Sequence, residues 1–250
     1  MVRAVARAKP LIPDAAWPVL TTMRSLVGDG PLVGTPPFRR VLALCAHPDD
    51  ESVGCGGLLA LLADAGAVVE IAYATDGEAT IGAATSAAET GRLRRAEAEA
   101  ACEILGTRPP RFFGHPDGGL DQPEVLEAMA RDLRDLVADT EPEAVVVPWF
   151  LDGHADHRAV SAALGRAGVP PATEIWGYES WSPLPPNRLV DVTSVFARKE
   201  QALAAYATAH LAFDVSAMLG LNRYRSVHGL LGRGYAEAYL AAPASHWFDL

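Results

Sequence analysis

The sequence predicts an α/β fold, in which a mostly parallel sheet carries helices on both faces and an active site lies at the carboxyl edge of its strands. Three observations predict it. Short, continuous apolar runs at residues 41–46 and 144–148 have the pattern of strands buried on both faces, and residues 68–75, broken only by Glu70, are a further strand candidate. Segments of helical period separate them, which makes βαβ units with right-handed crossovers. Polar clusters follow directly on these runs, and in open α/β sheets ligands gather at the carboxyl ends of the strands.

In order along the 250 residues, residues 1–38 are punctuated by Pro10, Pro13, Pro18, Pro31, Pro36 and Pro37. They read as an N-terminal extension with one short helix near residues 17–26. Residues 39–250 read as a single domain. After the first strand, Gly54, Gly56 and Gly57 lead into a helix over residues 58–62 that Gly66 stops. The second strand, 68–75, ends at Thr75-Asp76-Gly77-Glu78. Leu93, Ala96, Ala100 and Ile104 recur at helical spacing and predict a long helix over 89–105, closed by Gly106. A short strand is expected at 111–113, a helix at 123–137, the strand at 144–148, and a helix at 154–164. Strands at 174–178 and 188–192 and a helix at 195–206 follow. Residues 234–240 read as a short final helix.

Composition excludes several classes. The formal net charge is −10, opposite to the basic face that sequence-independent nucleic-acid binding needs. The longest apolar stretch, residues 58–74, is interrupted by Asp64 and Glu70, so no membrane span is expected. The three cysteines, Cys45, Cys55 and Cys102, lack metal-knuckle spacing and read as buried free thiols in a reducing cytoplasm. Gly54-Cys55-Gly56-Gly57-Leu58-Leu59 fails the dinucleotide-binding glycine spacing at its last position. No Gly-x-Ser-x-Gly elbow is present.

The chemistry sits in two clusters, His47-Pro48-Asp49-Asp50-Glu51 and His154-Ala155-Asp156-His157. His47 and Asp50 are three apart across a turn, so an imidazole and a carboxylate can converge on one ion. His154 and His157 have the same spacing at a helix start. Two histidines and a carboxylate with an open fourth position make a catalytic zinc site, and zinc lowers the pKa of water to about 7. Asp49, adjacent to a ligand and surplus to coordination, is the candidate general base. For a lone His-Pro-Asp, a turn with aspartate capping the next helix is the bland alternative. Two such clusters, each after a buried strand, argue against it.

Ala46-His47-Pro48-Asp49-Asp50-Glu51 with Gly54-Cys55-Gly56-Gly57, Thr75-Asp76-Gly77-Glu78, Pro116-Asp117-Gly118-Gly119-Leu120 and His154-Ala155-Asp156-His157 together resemble the signature of the PIG-L / LmbE-like zinc-dependent N-deacetylases. The resemblance is firm over residues 40–163 and looser to Tyr235-Ala236-Glu237-Ala238, which resembles the family's closing helix. It implies a Rossmann-like fold and removal of an N-acetyl or other N-acyl group from an amino-sugar-containing small molecule. It also implies that His47, Asp50 and His157 bind Zn2+ and that Asp49 is the base. His154 then stabilises the oxyanion or protonates the leaving amine, with Asp156 as the partner that holds it oriented and cationic.

Substrate contacts are expected from Arg94, Asp117, Glu51 and Asp76. Arg92 and Arg95 compete with Arg94, and an exposed helix arginine is the alternative. Asp117 could equally form a turn, and Asp76 and Glu78 could cap a helix. Glu51 is expected to bond backbone near the metal turn and not to act as a further ligand. Two departures bear on specificity: Ala155 stands where the family usually has proline, and residues 149–153 lack the tyrosine of the thiol-cofactor deacetylases. A zinc amidase for a thiol conjugate or non-sugar amide, and a non-catalytic relative, are the competing functions. The donor set also accepts other divalent ions such as Fe2+, and a homo-oligomer stays open.

Overall fold

The computed structural model describes residues 32–83, 85–211 and 214–249. The expected helix near residues 17–26 lies outside them. Eight strands form one sheet: β1 (Leu32–Val33), β2 (Arg40–Cys45), β3 (Val68–Thr75), β4 (Arg111–His115), β5 (Ala144–Pro148), β6 (Glu174–Tyr178), β7 (Arg188–Asp191) and β8 (Ala236–Pro243). Their spatial order is β1-β7-β8-β6-β5-β2-β3-β4. All pairings are parallel except those of β8, which runs antiparallel to β6 and β7. The chain moves outward from β2 through β3 and β4, then returns to place β5 on the other side of β2. The crevice above the carboxyl ends of β2 and β5 is therefore the topological switch point, where such sheets bind ligands.

The main helices are α1 (Asp50–Gly54), α2 (Gly56–Asp64), α3 (Ala87–Leu105), α4 (Pro123–Thr140), α5 (Ala155–Ala167), α6 (Phe196–Ala204) and α7 (Leu219–Arg225). Alternation along the strands sends Val41, Ala43 and Cys45 to one face, where they pack with Leu58, Leu59, Ala98, Cys102 and Leu203 of α2, α3 and α6. Leu42 and Leu44 face the other side, with Met129, Leu133, Val160 and Leu164 of α4 and α5. Both faces are thus covered, which is why β2 and β5 read as unbroken apolar runs. Glycine is required where α1 and α2 meet the sheet. A Cβ at Gly54 would collide with the Tyr178 ring, and one at Gly57 with Val192.

Two differences from expectation are instructive. The final helix expected at residues 234–240 is a strand. β8 lies between β6 and β7 with both edges paired, so ladder bonds on both sides override the helical preference of an alanine-rich segment. The resemblance of residues 235–238 to a closing helix fails for the same reason. Leu32–Val33, within the expected N-terminal extension, pairs with Leu189–Val190 as the edge strand.

Candidate active site

Strand β2 delivers the first cluster. The turn after it is locked by Asp50, whose Oδ2 accepts from the backbone N–H groups of Ala46 (2.9 Å) and His47 (2.8 Å). That leaves Asp50 Oδ1 directed at His157 Nε2, 3.0 Å away. Asp49, between them, has φ 122° and ψ −25°, a backbone state that L-residues rarely occupy and that costs of order 1–3 kcal/mol. Its side chain makes no helix-capping bond. The carboxylate instead meets Arg94 Nη2 at 3.0 Å, and Arg94 also donates to the Pro48 carbonyl. From below, Glu51 Oε2 accepts from the Asp49 N–H at 3.3 Å.

The second cluster comes from β5 and the start of α5. His154 is the N-cap of α5, and its Nδ1 accepts from the Asp156 N–H at 3.2 Å. That bond puts the ring proton of neutral His154 on Nε2. His157, one turn along, is 0% exposed. Its Nδ1 lies 3.2 Å from Asp152 Oδ1 and its Nε2 3.0 Å from Asp50 Oδ1. Neither contact is a hydrogen bond, and the two ring nitrogens are buried without a partner among the described residues.

The clusters meet. One donor atom each of His47, His154 and His157 lies within 4.8 Å of the others, and the same holds for His47, Asp117 and Asp156. His47 Nε2 sits 3.1 Å from Asp117 Oδ1 and 3.3 Å from Asp156 Oδ2. Burial alone would lower the His47 pKa, but Asp117, Asp156 and Asp50 outweigh it and raise it to about 10. His157 behaves likewise: burial lowers it, Asp50 and Asp152 raise it more, and it is held at about 9. Burial would raise Asp50, yet His157 and His47 hold it well below the usual carboxylate range. A buried set of imidazoles and carboxylates that draws in positive charge this strongly, with orphaned ring nitrogens at its centre, fits a divalent cation.

The structure brings His47, Asp49, Asp50, Arg94, Asp117 and His154 to the lining of one cleft of about 370 Å³. Arg94 is selected over its neighbours by helix phase. It is 5% exposed, whereas Arg92 pairs with Glu89 on the solvent side and Arg95 with Asp76. Asp76 and Glu51 are not in the cleft lining. Asp76 is engaged by Arg95, and Glu51 is fully buried against Ser52 and Tyr206, so neither is offered to a substrate. Asp117 accepts from Ala79 N at 2.9 Å, tying two loops together beside His47.

The expected partnership of Asp156 with His154 is not made. Asp156 accepts from Gly118 N (2.8 Å) and Leu120 N (3.2 Å) and faces His47. Burial, together with the charges of His47 and His157, lowers the His154 pKa, so the ring is neutral where a cation was expected. Asp152 was missed. It is buried, accepts from His154 N at 2.9 Å, and faces His157. The one sequence signal for it is an aspartate two residues ahead of His154, the pattern of a side chain bonding forward to backbone. Trp181, Val215 and Met218 also line the cleft; the last two come from a segment with no motif.

Strand order, switch-point cleft and buried histidine–carboxylate cluster define a class, an α/β protein of the Rossmann type with a metal-capable centre above β2 and β5. The sequence matches the family described as GlcNAc-PI de-N-acetylase (PIG-L) over residues 42–167, just over half the chain, and the protein belongs to that family. A 1D-myo-inositol 2-acetamido-2-deoxy-alpha-D-glucopyranoside deacetylase of Mycobacterium sp. (strain KMS) is 33% identical over 177 residues, 60% of this chain and 57% of that protein. The chain thus spans less than two thirds of that curated relative's length. Among solved structures, N,N'-diacetylchitobiose deacetylase from Pyrococcus horikoshii superposes with a TM-score of 0.72 at 20% identity, covering 94% of this chain and 96% of that one. GalB, the 4-carboxy-2-hydroxymuconate hydratase of Pseudomonas putida KT2440, superposes at 0.70 with 23% identity, covering 81% and 96%. At these identities the likeness is one of fold, and one fold here carries both a deacetylase and a hydratase.

Proposed function

We propose that the protein is a zinc-dependent N-deacetylase that hydrolyses the N-acyl group of an amino-sugar-containing small molecule. The observation that carries this is that Asp50 lies 3.7 Å from His47 Nδ1 and 3.0 Å from His157 Nε2, while a further carboxylate, Asp49, lines the same cleft as His47 and Asp50. The surroundings of the two rings support this choice of ligands. With its Nδ1 accepting a backbone N–H, His154 carries its proton on Nε2 and has no lone pair there for a metal. His157 has the Asp152 carboxylate 3.2 Å behind Nδ1 and a buried Nε2 with no hydrogen-bond partner among the described residues.

A divalent cation held there supplies Lewis acidity and makes water acidic at neutral pH. Asp49 takes the proton of the attacking water. Burial raises its pKa against the opposing pull of Arg94, which suits a base that must later give the proton back. His154 Nε2–H donates to the oxygen of the amide as charge develops on it. Arg94 orients Asp49, and Asp117 and Asp156 keep His47 turned into the site. The amino-sugar assignment draws on the mycobacterial relative and on a cleft whose floor is polar and whose wall carries Trp181, a face on which a sugar ring can stack. Residues 39–250 are read as the deacetylase domain. Cytoplasmic residence accords with three buried, unpaired cysteines.

The test is mass-spectrometric screening of N-acetylated amino sugars and their glycosides with zinc-loaded protein and an Asp49→Ala control. Loss of one acetyl group by the wild type alone is expected. Cleavage only of larger, non-sugar amides would reassign the substrate, and equal turnover by Asp49→Ala would overturn the mechanism.

A further inference from the structure

Asp49 holds φ at 122° beside the metal-capable cluster, and such a state persists only where neighbouring groups over-determine it. The peptide between Pro48 and Asp49 sets that angle, and both of its polar groups are gripped. Its carbonyl oxygen accepts from Arg94 Nη2, and its N–H donates to Glu51 Oε2 at 3.3 Å. Turning this peptide over would return Asp49 to a negative φ, which L-residues prefer, and would break both bonds. The grips come from opposite sides of the peptide: α3 supplies one, and the fully buried Glu51 the other.

Glu51 is itself held by groups from elsewhere in the chain. Its Oε1 accepts from Tyr206 Oη at 2.8 Å and from Ser52 Oγ. Tyr206 has one hydroxyl proton and gives it to Glu51, so in the 3.2 Å contact between Tyr73 Oη and Tyr206 Oη the donor is Tyr73. A helix cap alone would explain the bond from the Asp49 N–H to Glu51. It would not call for two tyrosines, both 0% exposed, delivered by β3 and by the segment just past α6 and lined up behind one carboxylate. Burying a hydroxyl is costly unless it bonds, and here the bonds run in one direction, toward the group that holds Asp49. Tyr206 lies outside residues 42–167, over which the family pattern matches.

We propose that Tyr206 is a positioning residue for hydrolysis: acting through Glu51, it fixes the Pro48–Asp49 peptide and so aims the Asp49 carboxylate into the cleft. The proposal rests on Asp49 being the base of an amide hydrolase, and two experimental arms keep the two readings apart. The first is kinetic. Tyr206→Phe removes only the hydroxyl, and kcat per bound zinc should fall by about threefold to tenfold, short of the roughly 10²-fold that a 1 Å misplacement can cost. KM and zinc affinity should not change. In an Asp49→Asn background the same substitution should have no further effect, because the base it positions is gone. Tyr239→Phe is the matched control. It removes an equally buried hydroxyl from another buried carboxylate, Glu237, which Tyr239 Oη bonds at 2.6 Å, and kcat per bound zinc should stay at the wild-type value. Ser52→Ala, which removes the other hydroxyl on the same Glu51 oxygen, should repeat the Tyr206→Phe pattern and takes its place if that variant does not fold. An unchanged kcat, an equal fall in the Asp49→Asn background, or a rise in KM alone overturns the proposal.

The second arm needs no turnover. Amide hydrogen exchange read by NMR should show the Asp49 N–H protected in the wild type. In Tyr206→Phe it should exchange about tenfold faster relative to the amides of β2, as the loss of one hydrogen bond allows. Such loosening supports the positioning role even if no amide is cleaved, in which case the hydrolase function alone fails. Amide hydrolysis by the wild type, with Asp49 exchange unaltered in Tyr206→Phe, overturns the positioning role alone.

Discussion

Arg94 Nη2 lies 3.0 Å from Asp49 Oδ2, and the same nitrogen donates to the carbonyl of Pro48. One guanidinium from α3 thus grips both the side chain of Asp49 and the peptide that enters its left-handed backbone. Arg94→Lys replaces a planar fork by a point charge. It is expected to lower kcat by about tenfold or more, since small misplacement of a reacting group costs up to about 10²-fold, while zinc content by mass spectrometry stays stoichiometric. Loss of zinc along with activity would instead make Arg94 a support of the metal turn.

Asp49→Asn keeps the shape of the side chain and removes the base. kcat should fall by about 10²–10⁴-fold, the usual contribution of general acid–base catalysis, with metal still bound. Metal analysis alongside steady-state kinetics checks this, and a variant retaining more than a tenth of wild-type kcat would exclude Asp49 as the base.

Asp152 faces His157 Nδ1 at 3.2 Å and also accepts from His154 N. Carboxylates behind a ligating imidazole typically govern affinity by about 10–100-fold. Asp152→Ala should weaken zinc binding by that factor in competition with a chromogenic chelator. Unchanged affinity would mean that His157 is not a ligand.

Metal removal should be felt in stability. Asp50, Asp117, Asp152 and Asp156 crowd His47 and His157, and a cation bound only by the native state stabilises it by about 4 kcal/mol at a thousandfold excess over Kd. Thermal denaturation across a zinc titration after chelation should show Tm rising with free zinc. A flat response would count against a native metal centre.

A different buried charge holds the scaffold. Lys199 Nζ and Glu237 Oε1 pair at 2.6 Å with both side chains fully buried, and Glu237 also accepts from Gly57 N and Leu58 N at 2.8 Å. Glu237→Ala strands a buried ammonium and two N–H groups at the start of α2, so urea denaturation should report a loss of about 3–5 kcal/mol. A loss under about 1 kcal/mol would show that solvent reaches Lys199.

Much of the site was legible because it is carried by local pattern. Strands β2 and β5 are buried on both faces and announce themselves as apolar runs, β3 does so around Glu70, and a polar residue just beyond such a strand has only the sheet edge to occupy. His47, Asp49, Asp50, His154 and His157 could be placed together for that reason. Arg94 could not be separated from Arg92 and Arg95, since helix phase relative to the sheet decides which of three arginines turns inward. Asp156 could not be separated from His154, since the loop carrying Gly118 and Leu120 claims its carboxylate from a distant part of the chain.

What the sequence determined by itself was the fold class, the edge of the sheet that bears the chemistry and the residue types available there, all consequences of short-range periodicity and of strand topology. Only the tertiary structure decided the pairings: β8 as a strand between two others, Asp152 behind His157, and Arg94 on Asp49. Each depends on groups brought together across tens to hundreds of residues, where burial makes an unpaired charge or N–H costly and so selects one arrangement among the many that local sequence permits.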